Sequence, residues 1–346
     1  MAWGTPSRER RVLKAGHSSI AVTLPKPWAE AMNLRPGDLV VFDQNDDGTL
    51  FLKPAPTPGN GQVGAPYLLQ ARSFDTPGVL ERLVVGAYRV GHDAIEIRTE
   101  QPLAPERVEE LLDAARRLLG VSVVAQEPTR VVLQNFIDPS KYGLPQLVQR
   151  MKMILVAYME EAEELLQRRP RSRRLPSLAE ETHRVLALLV RQLFLASRDW
   201  SLARRIGSPD PRQLLEWRVV VHALEELGEI LRRMVDELNR EPVRYRQQLP
   251  ELAGLVGELR LGLKAVFDSL MHPTLSNACE AHAEARRLTE TAHEFLLALK
   301  SPARRGGLYH VPAALERGAG RLTVLAQVAV DRAVSAGSET ILLDAP

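Results

Sequence analysis

The sequence predicts a multidomain α+β protein with a small β head, an α/β sandwich in the middle and a long all-α body. Short β patterns around glycine turns fill the head, strand and helix patterns alternate in the middle, and apolar residues then recur at helical spacing. A stretch rich in proline and then in glycine indicates a linker behind the head. We expect the head at 1–53, the linker at 54–65, the α/β domain at 66–138, the helical domain at 139–337 and a C-terminal tail at 338–346.

The head shows two strand patterns around Gly16, a short helix, a turn and a second hairpin near 46–48. A module of this size is too small to bury a core alone, so we expect it to pair with a second copy as a homodimer. A twofold-paired basic module that presents loops suits DNA. In the alternative, its cations only keep edge strands from aggregating and the head serves dimerisation alone. The candidate DNA contacts are Arg10, Arg11, Lys14, His17, Ser18 and Lys26.

This head resembles the AbrB-like swapped-hairpin domain, also called the SpoVT–AbrB or MazE type, over roughly residues 8–53. The matching pattern consists of Arg11 and Gly16, the strand at 20–24 followed by Pro25, and the turn at 34–38. The resemblance implies that two chains interleave and that basic residues on and beside the first hairpin contact DNA. His17 stands where many relatives carry arginine. The stretch 16–28 looks most like the version that is fused to PhoU-type regulators.

The middle segment alternates strand and helix patterns and predicts a small α/β sandwich with its helices on one face of the sheet. The expected elements are strands at 67–72, 94–98, 121–126 and 130–136 and helices at 77–90 and 105–119. On the first of these helices the pattern places five apolar residues on one face, namely Val79, Leu80, Leu83, Val84 and Ala87. No glycine-rich phosphate loop and no Cys/His cluster occurs in this segment, so a spacer or dimerisation role is favoured over ligand sensing.

Six long helices are predicted for the body, and their short connections indicate an up-and-down bundle. They are expected near 144–169, 177–202, 210–239, 249–271, 276–299 and 311–335. An imperfect repeat links the stretch 223–228, with the sequence ALEELG, to 314–319, with the sequence ALERGA. Because the two stretches fall at equivalent places in the helix count, they indicate three-helix halves at about 140–240 and 247–336.

The body resembles the PhoU phosphate-signalling family, whose fold is two such three-helix repeats. The stretch 180–193 looks like the second helix of that family, and 223–229 looks like the signature of its third helix. The order of an AbrB-type head before a PhoU-type body is a more specific indication of the class of protein than either motif alone. This order implies a regulator that is linked to phosphate and to transcription.

Three acids are candidates for a metal site. Glu225 and Glu229 stand at i and i+4, so both carboxylates project from one face of a helix. Glu181 or His183 on the preceding long helix could complete an oxygen-rich site for a hard cation or iron. Since the PhoU resemblance implies clustered metal ions on this signature, iron, zinc or magnesium are the candidate ions. The favoured alternative is a solvated face on which Glu229 pairs with Arg233.

The second repeat is less suited to a metal. It carries Glu316, but Gly320 stands where the second acid should be, between Arg317 and Arg321. A cation site there has lost one ligand and gained like charge. Any metal is therefore expected in the first repeat.

Composition excludes several classes of protein. A net charge of +2 over 346 residues, with 25% charged residues, argues against a protein that coats a polyanion. The single cysteine, Cys279, excludes an intramolecular disulfide framework and suits a reducing cytosol. No signal-peptide pattern and no apolar run of about 18 residues occurs, so we expect a cytoplasmic protein without membrane insertion. Neither a Gly-x-Ser-x-Gly elbow nor a phosphate loop is present, and we expect no enzyme.

The sequence as a whole predicts a cytoplasmic phosphate-signalling or transcription regulator. Its dimeric head would bind DNA, and its helical body would sense state or dock a partner. The alternative is an interaction protein whose body modulates a phosphate transporter or a sensor kinase, with a head that only dimerises. An antitoxin is a third class, but its short toxin-wrapping tail is far smaller than this body.

Overall fold

The computed structural model describes residues 10–16, 18–44, 48–55, 66–71, 76–167, 171–240, 250–298 and 310–337. Over these residues it shows a small strand region near the N-terminus, a mixed sheet and a mostly helical body, which confirms the predicted multidomain α+β class. The chain forms two compact units, Met1–Gln62 and Val63–Pro346. Most of the linker predicted at 54–65 lies outside the described residues, and so does all of the C-terminal tail predicted at 338–346.

Over its described residues, the head in the first unit consists of two short antiparallel hairpins and one short helix. In the first hairpin Lys14 lies opposite Ile20, and Gly16 turns the chain with a φ of +73°, which glycine adopts without steric cost. After the helix, the backbone N–H of Arg35 donates to the Asp38 carboxylate at 2.7 Å and closes the next turn. The elements are β1 (Leu13–Ala15), β2 (Ser19–Ala21), α1 (Lys26–Ala31), β3 (Val40–Gln44) and β4 (Leu50–Pro54).

The α/β domain opens the second unit. Its elements are β5 (Tyr67–Ala71), α2 (Val79–Arg89), β6 (Ala94–Thr99), α3 (Pro105–Arg116), β7 (Val121–Glu127) and β8 (Arg130–Asn135). The strand order in the sheet is β5-β6-β8-β7, with β5 parallel to β6 and the other neighbours antiparallel. An irregularity between Val123 and Ala125 shifts the register of β7 against β8.

Alternation along the two central strands builds the core of this domain. Ile95, Ile97, Val131 and Leu133 are at most 3% exposed, and they belong to one buried cluster with residues of α2 and α3. On α2, Leu80, Val84 and Ala87 are buried as the sequence pattern predicts, but Val79 and Leu83 of the same predicted face are 37% and 38% exposed. The buried stripe of α2 lies one position further round the helix and consists of Leu80, Val84, Ala87 and Tyr88.

Long helices form the body at the positions that the apolar spacing predicts, with one exception. The predicted helix 177–202 is two helices, because α5 ends at Ala196 and the Asp199 carboxylate accepts from the N–H groups of Ser201 and Leu202 to start a new one. The helices are α4 (Leu144–Gln167), α5 (Leu175–Ala196), α6 (Trp200–Arg205), α7 (Pro211–Arg240), α8 (Pro250–Met271), α9 (Leu275–Ala298) and α10 (His310–Ser335).

The long helices pack in two groups of three. Helices α4, α5 and α7 contact one another, as do α8, α9 and α10, and the groups meet through the pairs α4–α8 and α7–α10. Corresponding helices of the two groups therefore occupy corresponding places, and one continuous hydrophobic cluster runs through both groups. Among the described helices, none has the length and hydropathy that crossing a bilayer requires.

Candidate nucleic-acid interface and charged sites of the body

The first hairpin of the head carries the candidate DNA contacts. Arg10 and Arg11 lie just before β1, Lys14 lies on it and Ser18 lies in the turn, and all four are exposed. Because β1 and β2 are only three residues each, these side chains stay close to the turn. His17, the remaining candidate in this hairpin, lies outside the described residues.

Lys26 begins α1 and forms an ion pair with Glu30 across one helical turn, with Nζ 3.7 Å from Oε1. The lysine side chain is 86% exposed and that of the glutamate 67% exposed, so the pair is weak and solvent screens it. A phosphate group can therefore replace Glu30 as the partner of this ammonium group at little cost in free energy.

The apolar side chains of the head are the second feature of this site. Among the residues of the first unit whose exposure is described, none is buried, and nine large apolar side chains are 42–78% exposed. They are Val12, Leu13, Ile20, Val22, Leu24, Met32, Leu39, Phe42 and Leu50. So many large exposed apolar side chains in one small module are typical of a surface that a partner covers. A single copy of the head thus has no core of its own among its described residues.

In the body, each of the three acids proposed as metal ligands contacts arginine. Glu225 accepts from Arg89 at 3.1 Å, and the nearest contact of Glu181 is with Arg150 at 2.7 Å. Within the described part of the chain, no three His, Cys, Asp or Glu side chains are grouped so that they could hold a metal ion. The structure therefore does not bring Glu181, Glu225 and Glu229 together as one set of ligands.

Glu229 accepts from both Arg232, at 2.8 Å, and Arg233, at 2.5 Å. The hydrogen bond from Arg232 is the main cause that lowers the pKa of Glu229 to about 2. The contact with Arg233 is the i, i+4 pair that the sequence indicated as the alternative to a metal site.

Two arginines of α5 donate hydrogen bonds to the backbone of the α/β domain, and no sequence motif had indicated this role for them. Arg191 is 2% exposed and donates to the backbone carbonyls of Tyr88 and His92 at 2.7 and 2.9 Å, at the end of α2. Arg184, two turns earlier on the same face of α5, donates twice to the carbonyl of Arg116 at the end of α3, at 3.1 and 2.9 Å. Each guanidinium thus meets the negative end of one helix dipole. The sequence does contain a signal for this role of Arg191, because it is a single charged residue in an otherwise apolar stretch of α5.

Comparison with known families supports the resemblance that was found for the head. The model of the MazE family, described as antidote-toxin recognition, bacterial antitoxin, matches residues 13–60. The head is thus similar to MazE-type and AbrB-like domains, as its sequence indicated. The match does not extend to the body. No curated protein and no solved structure matches the chain significantly.

Proposed function

We propose that this protein is a DNA-binding regulator whose head acts as a pair. The single observation that carries the proposal is the combination found in the head: exposed apolar side chains without a core, next to a hairpin that is edged with cations. Pairing two heads would bury the apolar side chains and place two basic turns on one assembly. Such an assembly binds the phosphates of a duplex and positions its turns toward a groove.

The experiment is an electrophoretic mobility shift with promoter DNA over a series of salt concentrations. Lysine and arginine contacts to phosphate make the logarithm of affinity fall linearly with the logarithm of salt, by about 0.9 for each contact. Arg11→Ala and Lys14→Ala should weaken binding and each lower this slope by about one. Arg35→Ala, which removes a cation from the turn after α1, is the matched control and should leave the slope unchanged.

For the body we propose a PhoU-like, non-enzymatic role in phosphate signalling. The support is the pairing of two three-helix groups through their first and third helices, which suits two copies of one repeat. In this proposal the body docks a phosphate transporter or a sensor kinase and changes how the two heads engage DNA. Genome-wide mapping of bound DNA in phosphate-rich and phosphate-starved cells tests it, and occupancy should differ between the two conditions.

A competing proposal is an interaction protein in which the head only dimerises. The description of the matched family adds toxin recognition as one form of such an interaction. If Arg11→Ala and Lys14→Ala leave DNA retention unchanged while the protein stays dimeric, the interaction protein is the better proposal.

A further inference from the structure

A groove between α7 and α10 has a volume of about 450 Å³, and we call it the α7–α10 groove. It is lined by His222, Glu225, Glu226, Glu229, Ile230, Arg233, Arg317 and Arg321. It brings the acids of the first repeat together with the arginines that flank Gly320 in the second repeat. From the sequence alone, the acids were interpreted as a candidate metal site, and the arginines were interpreted as part of a second repeat that is less suited to a metal.

Two of the three carboxylates in the groove are neutralised by arginines from other elements. Glu225 accepts from Arg89 of the α/β domain at 3.1 Å. Glu226 accepts from Arg321 of α10 at 2.9 Å, and the Nε2 atom of His222 lies 3.8 Å from the same carboxylate. A divalent cation would have to displace these guanidinium groups before it could use either acid.

The third carboxylate, Glu229, is held by Arg232 and Arg233 of its own helix at 2.8 and 2.5 Å. Together with their ion-pair partners, the residues of the groove thus include five arginines but only three glutamates. They are Arg89, Arg232, Arg233, Arg317 and Arg321 against Glu225, Glu226 and Glu229. The surplus of positive charge makes this an unfavourable site for a metal cation and a favourable one for an anion.

Several guanidinium nitrogens in the groove are open. Arg317 uses only Nε, which donates to the carbonyl of Ala313 at 3.2 Å in its own helix. Arg233 also uses only Nε, toward Glu229, and Arg321 uses only Nη1. Among the described residues, nothing accepts from the remaining terminal nitrogens of these three side chains. Terminal guanidinium nitrogens form the planar fork that binds phosphate and carboxylate groups in a bidentate way.

We propose that the α7–α10 groove binds a small polyanion that carries two or more phosphate or carboxylate groups and no aromatic ring. The volume of about 450 Å³ lies in the range of small-molecule sites and exceeds what one phosphate group fills. Three open arginines on two helices suit several anionic groups along one ligand. The lining contains no phenylalanine, tyrosine or tryptophan on which a base could stack.

Isothermal titration of the full chain at low salt tests the proposal with two probes, tripolyphosphate and citrate, and with acetate as the single-charge reference. At least one of the two polyanions should bind with one site per chain, and acetate should not bind. The probe that binds tells whether phosphate or carboxylate chemistry is recognised. Failure of both polyanions to bind more tightly than acetate overturns the proposal.

Substitutions locate the binding. Arg317→Gln removes a side chain that forms no ion pair with any described residue, and it should weaken binding about tenfold or more, as expected for charged hydrogen bonds. Arg286→Gln is the matched control, because Arg286 lies on α9 outside the lining of the groove and its side chain is 66% exposed. The proposal is overturned if both variants weaken binding equally, or if Arg317→Gln leaves it unchanged, which would place the polyanion on the head or elsewhere.

Thermal unfolding without ligand checks that each variant is folded, and Arg233→Gln replaces Arg317→Gln if the latter is not. Gel shifts with DNA separate this proposal from the proposed function of the head. Arg317→Gln should leave DNA affinity in the absence of polyanion as it is in the unsubstituted chain. The two proposals can therefore fail independently.

Discussion

The guanidinium group of Arg191 on α5 lies over the ring of Tyr88 on α2, with Cζ 4.8 Å from the ring centroid, and also donates to the Tyr88 carbonyl at 2.7 Å. This pair fixes the α/β domain against the helical body. The domain packs on α5 and forms one compact unit with the body, and the spacer or dimerisation role that the sequence favours stays a prediction.

Replacing Arg191 by methionine should destabilise the second unit by about 3–5 kcal/mol. The change leaves the buried carbonyls of Tyr88 and His92 without their donor, at about 1–3 kcal/mol each, and leaves Asp93, which is 57% exposed, without its ion pair. Denaturant unfolding measures it. Arg184→Met, which removes a side chain that is 39% exposed, should cost less, and equal effects of the two changes would contradict this account.

The backbone of the α/β domain at Gly91 lies close to a side chain of α5. Its φ is +103°, and a Cβ atom there would lie 2.8 Å from Cδ2 of Leu195. Gly91→Ala should destabilise the chain by about 1–3 kcal/mol through backbone strain and contact. Gly86→Ala on α2 is the control, because a Cβ atom meets nothing within 4 Å there, and it should stabilise by up to about 1 kcal/mol. A neutral result for Gly91→Ala in thermal unfolding would refute the close approach.

The pKa of Glu229, lowered to about 2 mainly by the hydrogen bond from Arg232, predicts how stability depends on pH. A carboxylate whose pKa is lower in the folded state stabilises the fold above its unfolded pKa of about 4.3, and that contribution disappears as pH falls toward the folded value. Glu229→Gln should therefore lower the unfolding midpoint at pH 7 but not near pH 2. Glu294→Gln, on α9, serves as the control. A difference between Glu229→Gln and the unsubstituted chain that stays constant from pH 7 to pH 2 would contradict the assignment.

Elemental analysis of protein purified without chelators tests the proposed iron, zinc or magnesium site. Because Glu225 and Glu229 are held by arginines, we expect less than one equivalent of metal per chain. A full equivalent that is lost in Glu225→Ala and Glu229→Ala would show that metal displaces the arginines.

Much of the fold follows from the sequence because the signals are local. Apolar spacing in α4 and α7 and the glycine turn at Gly16 gave the elements within a few residues of their observed ends. The end of α5 at Ala196 was missed, since the apolar pattern continues past it and only the capping carboxylate of Asp199 shows the break.

The partners of the charged residues could not be predicted. Glu225 meets Arg89 across 136 positions of the chain, and Glu226 meets Arg321 across 95. Such pairs depend on how helices from separate parts of the chain pack, and neither spacing nor composition carries that information. A pair of acids at i and i+4 looks the same whether a metal or an arginine faces it.

We propose that one head is incomplete and that pairing of two heads creates the DNA-binding assembly. Sedimentation equilibrium of the full chain and of its Ile20→Glu variant, with a gel shift on the same samples, tests whether pairing and DNA binding are lost together. Ile20 is 76% exposed in the single chain, so charge there would be harmless to a monomer but would disrupt an apolar interface between heads. We predict a dimer that binds DNA and an Ile20→Glu monomer that does not. A folded monomer of the unsubstituted chain, or a variant that still pairs and binds DNA, would contradict the account.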